Sequence, residues 1–383
     1  MKEVKELIEA YADKYNEFTS ETLKRFSNGE NLVFSPFSIF MLLSMAADSV
    51  NGTARQEILD VIGSERLSES YGDMISKIQR LFTDGTSSEG KKEGKGSLVS
   101  ANAVCVRNDL KEKVNPEYLR NLKKYNSELF VSENMIGDVN AWVKNNTKGM
   151  IESIVDDSMR KMVMCLLNAL AFDAEWNNKY DEDDIYDSDF TNVDGSISEV
   201  QMLDSKEQMY VENDRMIGFI KPYKDPEYEF MALLPKRKAK SAMTHATRFL
   251  NISELYSSMS YKKVIVSMPE FCCDSKLNLK EYCKELGINT LFTDDADFSS
   301  ASRERLKVDA ILHKAHVEVD RKGTKAAAVT MAGVVCAGAA VMEEAKIVRL
   351  DRPFIYAVMH KETKLPVFVG IMNKGNCSHY GDL

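Results

Sequence analysis

Apolar residues at helical spacing open the chain. Val4, Leu7, Ile8, Tyr11 and Tyr15 alternate with charged positions through the first 25 residues, the pattern of an amphipathic helix. Residues 31–38, AsnLeuValPheSerProPheSer, predict a short strand ending at Ser35-Pro36. A helix is expected after it, with serine at its cap and proline in its first turn. Asn51-Gly52-Thr53 reads as a turn into a helix carrying Ile58, Leu59, Val61 and Ile62, and Met74, Ile75, Ile78 and Leu81 predict another over 71–82. The pattern stops at 83–97, where Gly, Ser, Lys and Glu predominate and a flexible insertion is expected. Alternation at 97–106 predicts a strand, and the near-continuous apolar run at 165–176 predicts a central one buried on both faces. Asn168 interrupts that run and must find hydrogen-bond partners there. Residues 230–235 and 264–271 predict strands closed by Pro235 and Pro269, and LysGluLeuGlyIle at 284–288 predicts a helix stopped by Gly287.

Between Thr324 and Met342 the chain is small or apolar apart from Lys325 and Thr330, and it contains no proline. Read as a strand, one face carries Thr324, Ala326, Ala328, Thr330 and Ala332, all small, and the other Lys325, Ala327, Val329 and Met331. Such a strand suits a sheet whose layer below is already filled. Alanine and glycine are poor formers of a free-standing strand, so a loop is expected until something captures it. Two alternatives stand beside this reading. The uncharged run 326–342 just reaches the length of a membrane-spanning helix, and its composition also allows a buried core helix. The shortness of the run and the strand-like PheIleTyrAlaValMet after it count against the first, and Gly323, Gly333 and Gly338 count against the second.

Composition narrows the function classes. At 383 residues the chain is longer than one core usually supports, yet no linker divides it. The net charge of -9 argues against a nucleic-acid partner, and the dense basic spots, Lys91-Lys92 and 236–240, read as solvated loops. Seven cysteines, an odd number with Cys272 and Cys273 adjacent, do not look like a disulfide framework and point to a reducing compartment. No uncharged secretory core is present near the first residue, so a cytoplasmic location is expected, with non-classical secretion as the alternative. The acidic run 181–194 lacks the glycine and glutamate spacing of a calcium loop and reads as a solvated loop. GxSxG, HExxH, GxxxxGK[ST] and CxxC are absent. His313 and His316 lie in what reads as a strand, which points them apart. No enzyme, metal site or cofactor is expected.

GlyThrLysAlaAlaAla at 323–328, AspArgProPheIleTyr at 351–356 and LeuProValPheValGlyIleMetAsn at 365–373 occur in an order that resembles the serpin family, and AlaAspPheSer at 296–299 is similar to a further motif of it. The resemblance implies an α+β fold of about nine helices around three β-sheets, with a five-stranded main sheet and an exposed reactive loop at about 323–350. It implies one domain over 1–375 and a short C-terminal tail at 376–383. Residues 140–155 resemble the helix that crosses the main sheet. The hinge maps onto Gly323, Thr324, Ala326, Ala327 and Ala328. The shutter, where the strands part, maps onto Ser35, Ser38, Asn168 and His313, and the breach at the top of the sheet onto Trp176, Glu270 and Arg321. At the breach the family usually has an acid two positions before the hinge glycine and a lysine after the strand-ending proline. Here Arg321 and Glu270 reverse both signs, so the attraction is expected to persist with its polarity swapped.

The activity implied is that of a suicide substrate. A protease attacks the loop, the cut loop inserts as a new strand, and the acylated protease is carried with it. Counting as in the family's inhibitors puts the reactive bond at Ala337-Gly338, with Cys336 and Ala339 as neighbours and Met342 as an outlying alternative. Small residues there fit an elastase-like serine protease, with a chymotrypsin-like enzyme or a cysteine protease as alternatives. Lys77, Arg80, Lys91, Lys92 and Lys95 are too few, and too diluted by acids, for a polyanion site. The molecule is expected to be a monomer without nucleic-acid or membrane partners. A non-inhibitory carrier, chaperone or storage protein is the rival reading.

Overall fold

The computed structural model describes residues 2–63, 98–238, 242–247, 250–324, 344–375 and 378–380. Its helices are α1 (Lys2–Phe26), α2 (Pro36–Ala47), α3 (Gly52–Ile62), α4 (Pro116–Leu122), α5 (Met135–Asn146), α6 (Ala242–Thr247), α7 (Ile252–Ser257) and α8 (Lys280–Glu285). Its strands are β1 (Leu32–Phe34), β2 (Leu98–Val106), β3 (Ser127–Phe130), β4 (Met164–Phe172), β5 (Ala174–Glu175), β6 (Ile185–Thr191), β7 (Ile197–Glu212), β8 (Met216–Pro222), β9 (Tyr228–Pro235), β10 (Ser260–Pro269), β11 (Phe271–Asn278), β12 (Val308–Val319), β13 (Gly323–Thr324), β14 (Lys346–Arg349), β15 (Phe354–His360), β16 (Leu365–Met372) and β17 (Ser378–Tyr380). The α+β class follows directly.

The main sheet runs β11-β12-β4-β2-β3, the five strands expected, and β17 from the tail adds a sixth on the β11 edge. The other large sheet runs β1-β16-β15-β9-β8-β7-β10-β14, with β6 also on β7. Two smaller sheets have become continuous here, because β7 is long enough to pair with β8 at one end and with β6 and β10 along the rest. Helix α2 fills the space between layers. Every one of its residues is buried, which explains a sequence apolar on all sides. Ser35 caps it, its hydroxyl accepting from the Ser38 N–H at 3.2 Å, and Pro36 takes the first helical position.

The two faces of the main sheet differ in side-chain size. Strand alternation sends Val104, Leu166, Leu170 and Phe172 into the principal core, and Ala101, Ala103, Cys105, Cys165, Ala169, Ala171 and Ala310, with Leu167 and Leu312 as the larger exceptions, to the opposite face. Val139 and Val143 of α5 cover that second face.

Three expectations need correction. The crossing helix runs from Met135 to Asn146, not over 140–155. The chain turns at Lys148 and Gly149, both with positive φ, and Asn140 then clamps the returning segment, accepting from the N–H groups of Ile154 and Val155 and donating to the Val155 carbonyl. The acidic run at 181–194 contains β6, antiparallel to β7, anchored by the fully buried Phe190. An edge strand can carry such charge on its solvent side. The cysteines are unpaired at Cys105, Cys165, Cys273 and Cys283, all buried, but Cys272 is disulfide-bonded. Adjacent residues on β11 face opposite ways, so Cys273 goes to the core while Cys272 stays half-exposed. The helix expected at 71–82 and the insertion at 83–97 lie outside the described residues.

Candidate functional site

β12 and β4 run parallel and pair directly, from Val308 opposite Met164 to His316 opposite Ala171. Above that level the two strands carry different attachments. β12 ends in a tight turn in which the Asp320 N–H donates to the Gly323 carbonyl at 2.9 Å, while the Asp320 carboxylate accepts from the N–H groups of Lys322 and Gly323. The chain emerges as β13, antiparallel to β5, with Gly323 opposite Glu175 and Thr324 opposite Ala174. A side chain is excluded at 323, since a Cβ would clash with the Ala174 carbonyl oxygen and lie 2.6 Å from the Glu175 Cα. The hinge glycine is required by close backbone approach.

Trp176, fully buried, organises this upper end. Its backbone N–H donates to the Lys322 carbonyl and its indole N–H to the Asp320 carbonyl at 2.8 Å. The ring stacks on Tyr223 with centroids 4.6 Å apart. Behind it Lys221 and Glu207 form a buried ion pair at 2.7 Å, with the ammonium 5.5 Å from the Trp176 ring and 4.5 Å from that of Tyr180. Arg321 and Glu270 meet: Nε lies 2.9 Å from Oε1 and Nη2 3.3 Å from Oε2. The Arg321 backbone N–H also donates to Oε1 at 3.0 Å. The reversed charges thus form an ion pair across the turn that feeds the hinge.

Lower on the seam, His313 and Asn168 are direct partners across β12 and β4, and both are fully buried. The Ser35 N–H donates to His313 Nε2 at 2.9 Å, so Nδ1 carries the proton and donates to Asn168 Oδ1, also at 2.9 Å. Asn168 in turn donates to Asn102 Oδ1 at 2.6 Å, and Asn102 donates to the Tyr125 carbonyl at 3.1 Å. The chain has one direction and requires a neutral imidazole. Burial enforces this by lowering the His313 pKa to about 3. Ser35 joins through its backbone. Ser38 gives its N–H to Ser35, while its own buried hydroxyl has no partner among the described residues.

His316, three residues further along β12, points the other way and meets Asp274 of β11 at 2.6 Å. The HxxH pair is therefore divided between the sheet's two faces. Of the reactive loop, the remaining hinge residues Ala326, Ala327 and Ala328 and the reactive-bond residues Cys336, Ala337, Gly338, Ala339 and Met342 lie outside the described residues. The chain returns at β14, parallel to β10, with Ile265 opposite Ile347.

Two contributors were not anticipated. Asn102 carries the same signal as Asn168, a polar residue inside an apolar strand, and register places them opposite one another. Asp320 gave no signal by itself, since acids in turns are ordinary. Among the described residues the site is made of backbone pairing, buried hydrogen bonds and one ion pair at the turn. It offers a parallel strand pair, with two residues beyond the β12 turn paired antiparallel to β5, the short strand that follows β4.

Residues 13–374 match the family model described as "Serpin (serine protease inhibitor)". Among curated relatives, Iripin-2 of Ixodes ricinus is 28% identical over 378 residues, covering 94% of this chain and 92% of its own length. Among solved structures, the thermophilic serpin tengpin in its native state superposes with a TM-score of 0.82 at 28% identity, covering 96% of this chain and 94% of its own. Human thyroxine-binding globulin in complex with its hormone gives a TM-score of 0.81 at 22% identity, over 96% of this chain and 99% of that one, a likeness of fold alone.

Proposed function

The chain belongs to the serpin family, and from that premise we propose that it is a suicide-substrate inhibitor of an elastase-like or chymotrypsin-like serine protease. The observation that carries this reading is β13. A segment that leaves β12 by a turn pairs antiparallel with β5, the short strand that follows β4 in sequence, and its continuation in that direction could hydrogen-bond to β4 and β12 once they separate. Its continuation in sequence has a uniformly small face, Ala326, Ala328, Thr330 and Ala332, which limits the volume to be accommodated on insertion. The segment from Gly323 to Ala337 extends to about 50 Å at roughly 3.3 Å per residue.

The protease supplies its own nucleophile, cuts after Ala337 and becomes acylated there. Insertion of the loop then displaces the attached protease before water releases it. This protein contributes conformational free energy, so its native state persists for kinetic reasons.

The test is incubation with a panel of serine and cysteine proteases followed by denaturing electrophoresis. The expected result is a covalent complex with a small-pocket serine protease, cleavage after Ala337, and a nicked protein that melts well above the intact one. Gly323→Ala should shift the outcome from complex to simple cleavage, because its methyl group meets the Ala174 carbonyl. Cleavage without complex in the parent protein, and no gain in melting temperature, would leave the carrier or storage reading in its place.

A further inference from the structure

Two buried thiols lie opposite one another on the face of the main sheet that α5 covers. Cys105 of β2 and Cys165 of β4 are direct partners in antiparallel register, so their side chains project to the same face from Cα atoms about 4.5–5.5 Å apart. Both line a cleft of about 290 Å³, and three methionines line it with them. Met135 opens α5, Met159 belongs to the short turn Asp157–Lys161, and Met162 follows that turn. Met159 is buried in one cluster with the two cysteines, and Met135 and Met162 pack against that cluster. Sulfur-bearing side chains from two strands, a helix start and a turn therefore converge on one cavity.

The donor set decides what such a cavity can take. Thiolate and thioether sulfurs are soft ligands and select soft ions such as Cu(I), whereas zinc takes four ligands drawn from Cys, His, Asp and Glu. Among the described residues no group of three or more His, Cys, Asp or Glu could hold an ion, so the zinc reading fails here. Both thiols are free, and burial holds them protonated by raising their pKa. An incoming ion has to displace those protons. It has a way in, because Arg107, Asn108, Glu133 and Asn134 line the same cleft and are exposed.

We propose that Cys105, Cys165 and Met159 form a soft-metal site that takes Cu(I). Binding exchanges protons for the ion: two S–H bonds break, two copper–sulfur bonds form, both protons pass to solvent, and no electron is transferred. Met159 completes the set as a neutral donor, the one methionine of the three that is buried beside both thiols. The ligands come from β2, β4 and the turn after α5, so the ion ties the sheet to the segment lying over it. A ligand that binds only the folded chain stabilises it. The site requires neither the reactive loop nor a protease.

The test titrates the full-length protein, without oxygen, with ascorbate-reduced copper against a chromogenic Cu(I) chelator. The expected result is a tightly held ion, a thiolate-to-copper charge-transfer band in the ultraviolet, and a melting midpoint that rises with Cu(I). Cys105→Ala/Cys165→Ala matches the alanines around it and leaves the other cysteines in place. It should abolish the band and weaken binding by more than the roughly 10–100-fold that changes outside a ligand set cost. Met159→Leu keeps size and burial, and should weaken binding while the band remains. Melting of each variant without copper checks that it is folded. X-ray absorption of the loaded parent protein needs no variant and should show sulfur alone around the ion. Unchanged binding in the double variant, nitrogen or oxygen neighbours, or equal competition by zinc would overturn the site. Failure of the parent protein to compete with the chelator would leave the sulfurs as apolar packing.

Discussion

The main sheet is fastened around β12 by two unlike devices. At the shutter, neutral groups in complete burial pass hydrogen bonds in one direction, from the Ser35 N–H to His313 and on through Asn168 to Asn102. At the breach, Arg321 and Glu270 form a charged pair whose side chains are 42% and 22% exposed. The first interaction is costly to leave unmade, because each buried partner has nowhere else to turn. The second is individually weak, because water and salt can replace it. Of the two, only the shutter joins β12 to β4; the charged pair ties the turn after β12 to the residue between β10 and β11.

The largest effect should come from the buried end. His313→Ala leaves the Ser35 N–H and the Asn168 carbonyl oxygen without partners, at about 1–3 kcal/mol for each. The native protein should melt several degrees lower and form chain-to-chain linkages sooner, as read by calorimetry and native electrophoresis. Unchanged melting would show that the network contributes nothing to holding the seam.

Acid sharpens the contrast. The folded pKa of His313, held near 3 by burial, lies below the unfolded value of about 6.5, so below pH 6.5 the unfolded chain binds the extra proton. Stability from this group is level above pH 6.5 and falls by about 1.4 kcal/mol per pH unit on descending from there toward 3. His360, lowered to about 4 by burial, adds a similar slope over a narrower window. His313→Asn should remove one of the two, measured as the difference in melting midpoint against pH between variant and parent. Identical profiles would contradict the assignment.

The smallest effect belongs to the charge pair. Arg321→Glu should destabilise by about 1 kcal/mol or less, and Glu270→Arg by more, because the Glu270 carboxylate also accepts from the Arg321 backbone N–H. The double reversal, Arg321→Glu/Glu270→Arg, should recover part of the loss, and the single-variant effects should shrink in high salt. Strict additivity in the double variant would mean that the pair is not coupled.

How much of this was legible beforehand depends on the kind of signal. β4 and β9 declared themselves because burial on both faces leaves an unbroken run, and β10 did so by an apolar stretch closed by Pro269 although its first half is largely exposed. Asn168 stood out for the same reason, as a polar group where none is tolerated without partners. The Arg321–Glu270 contact was legible only through family resemblance, which supplied the positions that three-dimensional proximity joins. The end of α5 was misjudged because a tertiary clamp, Asn140 on Ile154 and Val155, decides where the segment turns. The disulfide at Cys272 was hidden by the cysteine count, since an odd total does not exclude a single pair.

The floor beneath α5 is paved largely with alanine and cysteine, and the loop after that helix is tied across the strands by Lys314 to the Ser153 carbonyl and by Lys276 to Asp156. For a strand to slide in below, this cover has to peel back and settle again. The alanine and cysteine contacts surrender little apolar area when they part, Leu167 and Leu312 being the larger side chains of that floor, and surface lysine ties re-form readily. In the proposed mechanism, the small side chains of this floor would keep down the cost of lifting the cover from it.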